Sequence, residues 1–415
     1  MNTSVASVGV DRRALAAIFS KLRTEAGQSD PLPAYRQLAA MGEVIPAPWG
    51  GYVVTSYALC DRILRDKAWR VPDADWRRKN SARWNSPSSQ QMAASLPMFN
   101  QPQHTMARRS LGSLFPHSSL AALRPSAERA VDRLLTNFTD QLRHGPADFH
   151  TLVSEELPIV TIGEWMGIPV TDYALLRDLT HDQVFAQELF PTPSQLALSD
   201  AATAQLRTYF DELIRERRMS PGSDPVSAWL RTWDEIEPDR QRADEAVHGL
   251  ALFMILAALE TTSHILSTAV RLLLENPTHL ESLRRDPALI PDAVDEVLRY
   301  DAPIHMITRV APMDTQLGET LVPAGQMVQL MVGAAHHDPA RYPEPHRFRP
   351  RRGAAHLAFG AGIHYCAGNA LARLEAVTLL TSLLGRPIRP RLSGLPGWAP
   401  RVAFRRITSL SLTLA

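Results

Sequence analysis

With 415 residues, 45% of them hydrophobic and 21% charged, the chain is long and apolar enough to bury a sizeable core. Its net charge of +1 excludes a global field that would draw it to nucleic acid or to an anionic membrane. Two cysteines, Cys60 and Cys366, exclude a disulfide framework and suit a reducing compartment.

In chain order, residues 1–29 read as an N-terminal extension and residues 30–415 as one domain. The opening "MNTSVASVGVDRRALAAIFSKLR" carries Asp and Arg within its apolar stretch, so it lacks the apolar core of a secretory leader. Alternation in "GYVVTSY" (51–57) predicts a strand. Cys60 follows in "ALCDRIL", on the apolar face of a helix, where an inert core thiol is expected. Between 69 and 103, Trp69, Trp76 and Trp84 sit among Ser and Pro without a clear period, and so long a loop is usually functional. Apolar residues then recur at three and four over 120–300. They predict helices in "SLAALRPSAERAVDRLLTNFTDQLR", "SDAATAQLRTYFDELIRERR" and "ADEAVHGLALFMILAALETTSHILSTAVRLLLEN". The last of these stops at Asn276-Pro277 and is apolar enough in its middle to cross the interior of the fold. Its longest apolar run, 249–259, falls well short of the roughly 20 residues of a membrane span, so a soluble cytoplasmic protein is expected. Strands are predicted again at "MVQLMV" (327–332), after a Pro-Ala-Gly turn, and in the closing "RVAFRRITSLSLTL". His336 and His337, though adjacent, read as structural or solvated and not as a metal pair. The fold class expected is mainly α with a small β region.

Cys366 in "HLAFGAGIHYCAGNALARLEA" admits three readings: an inert buried thiol, a nucleophile, or a metal ligand. Its setting argues against the first. Phe359, Gly360, Gly362 and Gly368 make a turn where backbone approaches a flat group closely, and the helix that follows offers its positive end to a thiolate. Zinc would need more Cys or His ligands nearby. The stretch "FGAGIHYCAG" resembles the haem-binding signature of the cytochromes P-450, Phe-Gly-x-Gly-x-His-x-Cys-x-Gly. The resemblance implies a triangular helical prism crossed by one long helix, a haem b, and Cys366 as its axial thiolate. It also gives Phe359 and Gly368 to the haem pocket and His364 to a propionate.

Other motifs match in the expected order. In "HTMARRSL", His104 and Arg108 stand one turn apart, and the resemblance puts both on a haem propionate, with Arg309 of "ITRVA" as a second propionate arginine. "DEVLRY" supplies Glu296 and Arg299 on one helix face, and with Arg347 of "PHRFRP" they match the family's structural Glu-Arg-Arg triad. In "ILAALETTSH", Glu260 interrupts an apolar run where an unpaired carboxylate is costly. Here the resemblance implies that Ala257 packs over the haem and that Glu260 and Thr261 relay protons to dioxygen. Ala258 departs from the family, standing where a glycine is usual.

The implied activity is a monooxygenase that hydroxylates or epoxidises a hydrophobic small molecule, as a tailoring step in bacterial secondary metabolism. Oxidative coupling or rearrangement, peroxide-driven oxygenation and a non-enzymatic haem protein are the alternatives. Electrons are expected from a ferredoxin and its NAD(P)H ferredoxin reductase, docking through Arg109 and Arg373. Trp84, Met98, Phe99, Leu256, Ile304, His305 and Met306 are expected to face substrate.

Overall fold

Long apolar periodicity dictates one element above all others. In the computed structural model, which describes residues 12–80, 82–111 and 117–414, the helix Arg240–Glu275 runs without a break between its cap Asp239 and Asn276. The Asp239 carboxylate accepts the N–H groups of Gln241 and Arg242, which satisfies donors that the helix leaves unpaired. By length and composition this helix alone, among the described residues, would suffice to cross a bilayer. It is instead buried on nearly every face from Val247 to Leu273, as expected of a core helix. The helices Glu156–Met166, Pro193–Met219, Pro225–Ile236 and Asn369–Gly385 pack around it. Two apolar clusters divide it: Leu250, Ile255 and Leu259 join one, while Leu266, Val270 and Leu273 join the other.

The largest sheet has four strands, β1 (Val44–Pro46), β2 (Tyr52–Val54), β3 (Met306–Val310) and β4 (Met327–Met331), ordered β1-β2-β4-β3. β2 runs parallel to β4, with Tyr52 opposite Val328, and β3 runs antiparallel to β4, with Thr308 opposite Gln329. The predicted strand at 51–57 is shorter than expected because Ser56 already flanks the helix Tyr57–Arg65. Cys60 is fully buried on that helix, and burial pushes its thiol up, which leaves it inert.

Three further expectations change. Most of the predicted N-terminal extension is packed: Leu15, Phe19 and Leu22 of the helix Arg12–Leu22 are buried with Tyr35, Ile45 and Val53. Within 69–103 the chain forms the short helices Ala74–Asn80 and Pro87–Ala93, the latter capped by the Ser86 hydroxyl. In the closing segment only Ile407–Ser409 and Ser411–Leu414 are strands of a regular kind. Just before them, the loop at 399–406 carries Arg401, Arg405 and Arg406 into the interior. Of the structural and solvated alternatives, His336 and His337 take the structural one: both are buried, His336 accepting the Leu357 N–H and His337 lying between the carbonyls of Pro345 and Tyr300.

Candidate active site

The turn that carries Cys366 is fixed by its own glycines. Gly360 (φ +67°) and Gly362 (φ +69°) adopt left-handed backbone, and a Cβ on Gly362 would stand 2.2 Å from the Leu64 carbonyl oxygen, so no side chain fits there. The Cys366 N–H closes the turn on Phe359 O at 2.9 Å. Cys366 thereby arrives at the start of Asn369–Gly385, a helix with no side-chain N-cap. Burial pushes its thiol up; the N–H groups of Gly368 and Asn369, with Arg108, pull the other way.

Cys366 opens onto a cavity of about 360 Å³ whose opposite wall is the middle of the central helix. Phe359, His364 and Gly368 line it on the cysteine side, and Leu256, Ala257, Ala258, Glu260 and Thr261 on the helix side. His104, Arg108 and Arg309 reach the same cavity. The His104 and His364 rings lie 4.2 Å apart between centroids. Arg309 is buried, and among the described residues its guanidinium bonds only to the Thr308 carbonyl, at 2.9 Å. Among the described residues no carboxylate pairs with any of these four. Their charges consequently repel: burial, then Arg309, His104 and Arg108, hold His364 down to about 3, and burial lowers even Arg309 to about 10. Four basic groups gathered without an acid demand an anion.

Glu260 has the opposite environment. Burial would raise its carboxyl, but Arg401, Arg406 and His181 outweigh burial and hold it below its ordinary value. Arg401 donates directly to Oε1, Arg406 Nη1 stands 3.5 Å from Oε2, and His181 Nε2 stands 3.9 Å from it. Arg406 also donates to Glu155 and to His181 Nδ1, so His181 carries its proton on Nε2, between the two carboxylates. Burial and Arg406 hold His181 down to about 4, hence neutral near pH 7. Thr261 donates its hydroxyl to Ala257 O at 2.8 Å, within an unbroken helix.

Residues 176–386 match the family model for cytochrome P450. The chain is 33% identical over 393 residues to the cytochrome P450 monooxygenase PikC of Streptomyces venezuelae, an alignment covering 92% of this chain and 91% of that one. The chain belongs to the cytochrome P450 family. It is also 33% identical over 305 residues, 71% of this chain and 70% of that one, to 6-deoxyerythronolide B hydroxylase of Saccharopolyspora erythraea. P450BioI, solved with an acyl carrier protein bearing hexadec-9Z-enoic acid, superposes with a TM-score of 0.86 at 26% identity, covering 94% of this chain and 99% of that one. CYP109E1 from Bacillus megaterium, solved with testosterone, does so with a TM-score of 0.83 at 25% identity and the same coverage. This cytochrome P450 is therefore mainly α, as expected, and is a haem b oxidoreductase of the monooxygenase class.

The site residues fit that group. The uncompensated cluster of His104, Arg108, Arg309 and His364 suits the two propionates of a haem. Apart from its chain neighbours, no atom of the described residues lies within 4 Å of where a Gly368 Cβ would stand, so the chain's own packing does not require glycine there. Of the residues expected to face substrate, Trp84, Met98, Leu256, Ile304 and Met306 line the cavity. Phe99 packs against the apolar cluster beside it. His305 is turned away altogether: its Nδ1 lies 2.6 Å from the Tyr35 hydroxyl, in full burial.

The structural triad needs one substitution of its members. Arg299 grips Glu296 with two bonds of 2.8 and 2.9 Å, but the second guanidinium on Glu296 is that of Arg352, at 3.2 Å. Arg347 is exposed, pairs with Glu344 at 2.6 Å, and contributes only its carbonyl, which accepts from Arg352 at 2.8 Å. Glu296→Ala leaves two buried guanidinium groups without a carboxylate and is expected to cost about 3–5 kcal/mol in denaturant unfolding. Arg347→Ala, at a surface pair, is expected to cost about 0.5 kcal/mol or less.

Glu375 escaped the sequence reading, although it interrupts an apolar helix as Glu260 does. It is 2% exposed, borders the cavity, and among the described residues its carboxyl is bonded only to the Thr161 hydroxyl. Burial, weakly opposed by Thr161, pushes its carboxyl up to about 8. Thr161 also donates to the Leu157 carbonyl of its own helix; a hydroxyl has one proton, so the neutral Glu375 donates to Thr161 Oγ1. The folded chain holds this proton more tightly than the unfolded one. Its contribution to stability is therefore full near pH 4.5 and falls as pH rises to about 8. Glu375→Gln is expected to match the wild type in stability at pH 5 and to exceed it by about 3 kcal/mol at pH 8 in parallel denaturant titrations.

Proposed function

We propose that this cytochrome P450 hydroxylates or epoxidises a hydrophobic natural product as a tailoring step of bacterial secondary metabolism, in the cytoplasm. The observation that carries the reading is one apolar cavity with Cys366 on one wall, the Glu260–Thr261 pair on the other and an unpaired basic cluster at its edge. The relatives with biosynthetic names, PikC and 6-deoxyerythronolide B hydroxylase, support the metabolic setting.

Cys366 would hold the haem iron through its sulfur, which the N–H groups of Gly368 and Asn369 face. His104, Arg108, Arg309 and His364 would hold the propionates. A thiolate-held haem supplies the activation of dioxygen. The chain's part is to seat the substrate between Trp84, Met98, Leu256, Ile304 and Met306 and to keep water out by their apolar surface. Thr261 accepts and passes protons at Oγ1, its own proton lying on Ala257 O. Glu260, which Arg401 and Arg406 keep ionised at rest, takes up a proton on the His181 side and passes it on. The methyl of Ala258 adds apolar bulk on the cavity side of the helix.

A ferredoxin with its NAD(P)H ferredoxin reductase supplies the electrons, on the cysteine side. Arg109 is exposed and available for docking, whereas Arg373 is bound to Asp295 at 2.9 Å and lies 4.5 Å over the Phe359 ring, so it belongs to the fold. Arg109→Glu is expected to slow reduction by ferredoxin about tenfold at low salt and less at high salt, in stopped-flow measurements.

The dithionite-reduced protein under carbon monoxide tests the reading first: a strongly red-shifted Soret band is expected, and a band typical of histidine ligation overturns it. Product analysis with ferredoxin, reductase and NAD(P)H then separates oxygen insertion from oxidative coupling.

A further inference from the structure

Between Trp398 and Ile407 the chain runs as a loop, and two of its residues, Ala403 and Phe404, line the cavity. One edge of the loop is bridged to 303–305: the His305 N–H donates to Ala403 O at 2.9 Å, and the Arg405 N–H to Pro303 O at 2.8 Å. On its other edge, three successive N–H groups turn to a single side chain. Glu188 Oε2 accepts the Val402 N–H at 3.0 Å and the Ala403 N–H at 3.1 Å, while Oε1 accepts the Phe404 N–H at 3.1 Å. Glu188 is buried and ends the short turn Val184–Gln187, whose Val184, Ala186 and Gln187 line the same cavity. One carboxylate thus joins two cavity walls that lie 214 to 216 positions apart in the chain. Burial raises its carboxyl, and the Ala403 N–H, Arg401 and the other two N–H groups oppose burial. An apolar residue at 188 would fill the seam without that cost of burial, but it would leave three N–H groups of the loop unmatched.

We infer that Glu188 is a positioning residue for substrate recognition: its carboxylate holds Ala403 and Phe404 as a preformed wall of the cavity, which a bulky hydrophobic substrate meets already in place. This deepens the monooxygenase reading and rests on it. Glu188 acts through Phe404, which is half-buried and lines the cavity, and it needs no contact with substrate itself. Without the carboxylate the loop is tied along one edge only. A ligand that leans on Phe404 must then order the loop as it binds, an entropic cost that a small ligand near Cys366 does not meet.

Imidazole and econazole are the probes, the first small, the second an azole bulky enough to extend through the cavity. Their dissociation constants are measured by Soret titration of the haem-loaded wild type, Glu188→Gln, Phe404→Ala and the double variant. Glutamine keeps the size of Glu188 but turns an NH2 group on at least one of the three N–H groups, donor against donor. Econazole is expected to bind Glu188→Gln about tenfold more weakly, with imidazole within about twofold of the wild type. In the Phe404→Ala background the same change should have an effect of about twofold or less. Amide exchange over 399–406, read by mass spectrometry and independent of haem, should quicken about tenfold in Glu188→Gln. Econazole bound by Glu188→Gln as tightly as by the wild type, or more tightly, overturns the inference. Equal loss of both azoles, undiminished loss of econazole in the Phe404→Ala background, or unchanged exchange overturns it as well, and each leaves the monooxygenase reading standing. Absence of the red-shifted carbon monoxide band in the wild type strikes that reading instead, and the exchange measurement then decides whether Glu188 holds the loop.

Discussion

Cys366→Ala is expected to abolish the red-shifted Soret band of the reduced, carbon-monoxide-bound protein and to reduce oxygenation to background. The reason is chemical: alanine offers no ligand, and no other Cys or His among the cavity-lining residues can replace a thiolate, since His104 and His364 lie in the basic cluster. The fold should survive. The turn is held by the Cys366 N–H bond to Phe359 O and by left-handed glycines, none of which needs the sulfur, so unfolding free energy of the apoprotein should change by about 1 kcal/mol or less. Cys366→His separates ligation from haem retention: it keeps a ligand but should move the band to the position of imidazole ligation. Retention of the wild-type band in Cys366→Ala would place the thiolate elsewhere.

How far these features could be read in advance depends on how local their causes are. The cysteine turn is written in consecutive residues, because its glycine conformations and the helix that follows are set within ten positions. Glu296 and Arg299 were equally legible, being one turn apart on a helix. Choosing the second arginine was not: positions 347–352 hold four arginines, and only packing shows that Arg352 turns inward while Arg347 faces solvent. The packing of residues 12–22 was hidden for a related reason, since their apolar partners lie on the strands near Ile45 and Val53. His305 looked like a polar contact for substrate because the sequence cannot show that Tyr35, 270 positions away, receives it.

The least legible part is the setting of Glu260, and it leads to the second large effect. The apolar run around this residue signals that its charge needs a partner, but Arg401 and Arg406 lie some 140 residues on, in a segment that reads as strand. Glu260→Gln keeps the shape and removes the carboxyl of the cavity wall that has a link to solvent through His181, which is 20% exposed. Turnover is expected to fall about 100-fold, with oxygen still consumed and product no longer formed in proportion. The variant also strips Arg401 of its carboxylate, at a cost of about 2 kcal/mol in unfolding, so a stability measurement must accompany the kinetics. Arg401→Gln supplies the converse. Without Arg401 the upward pull of burial on Glu260 is opposed by Arg406 and His181 alone, so the carboxyl takes up a proton at higher pH. If the ionised Glu260 carries protons inward, the acid limb of turnover against pH, set by its protonation, should move to higher pH in Arg401→Gln and vanish in Glu260→Gln. Turnover and product yield unchanged in Glu260→Gln would remove the carboxylate from the relay and leave Thr261 to act with solvent alone.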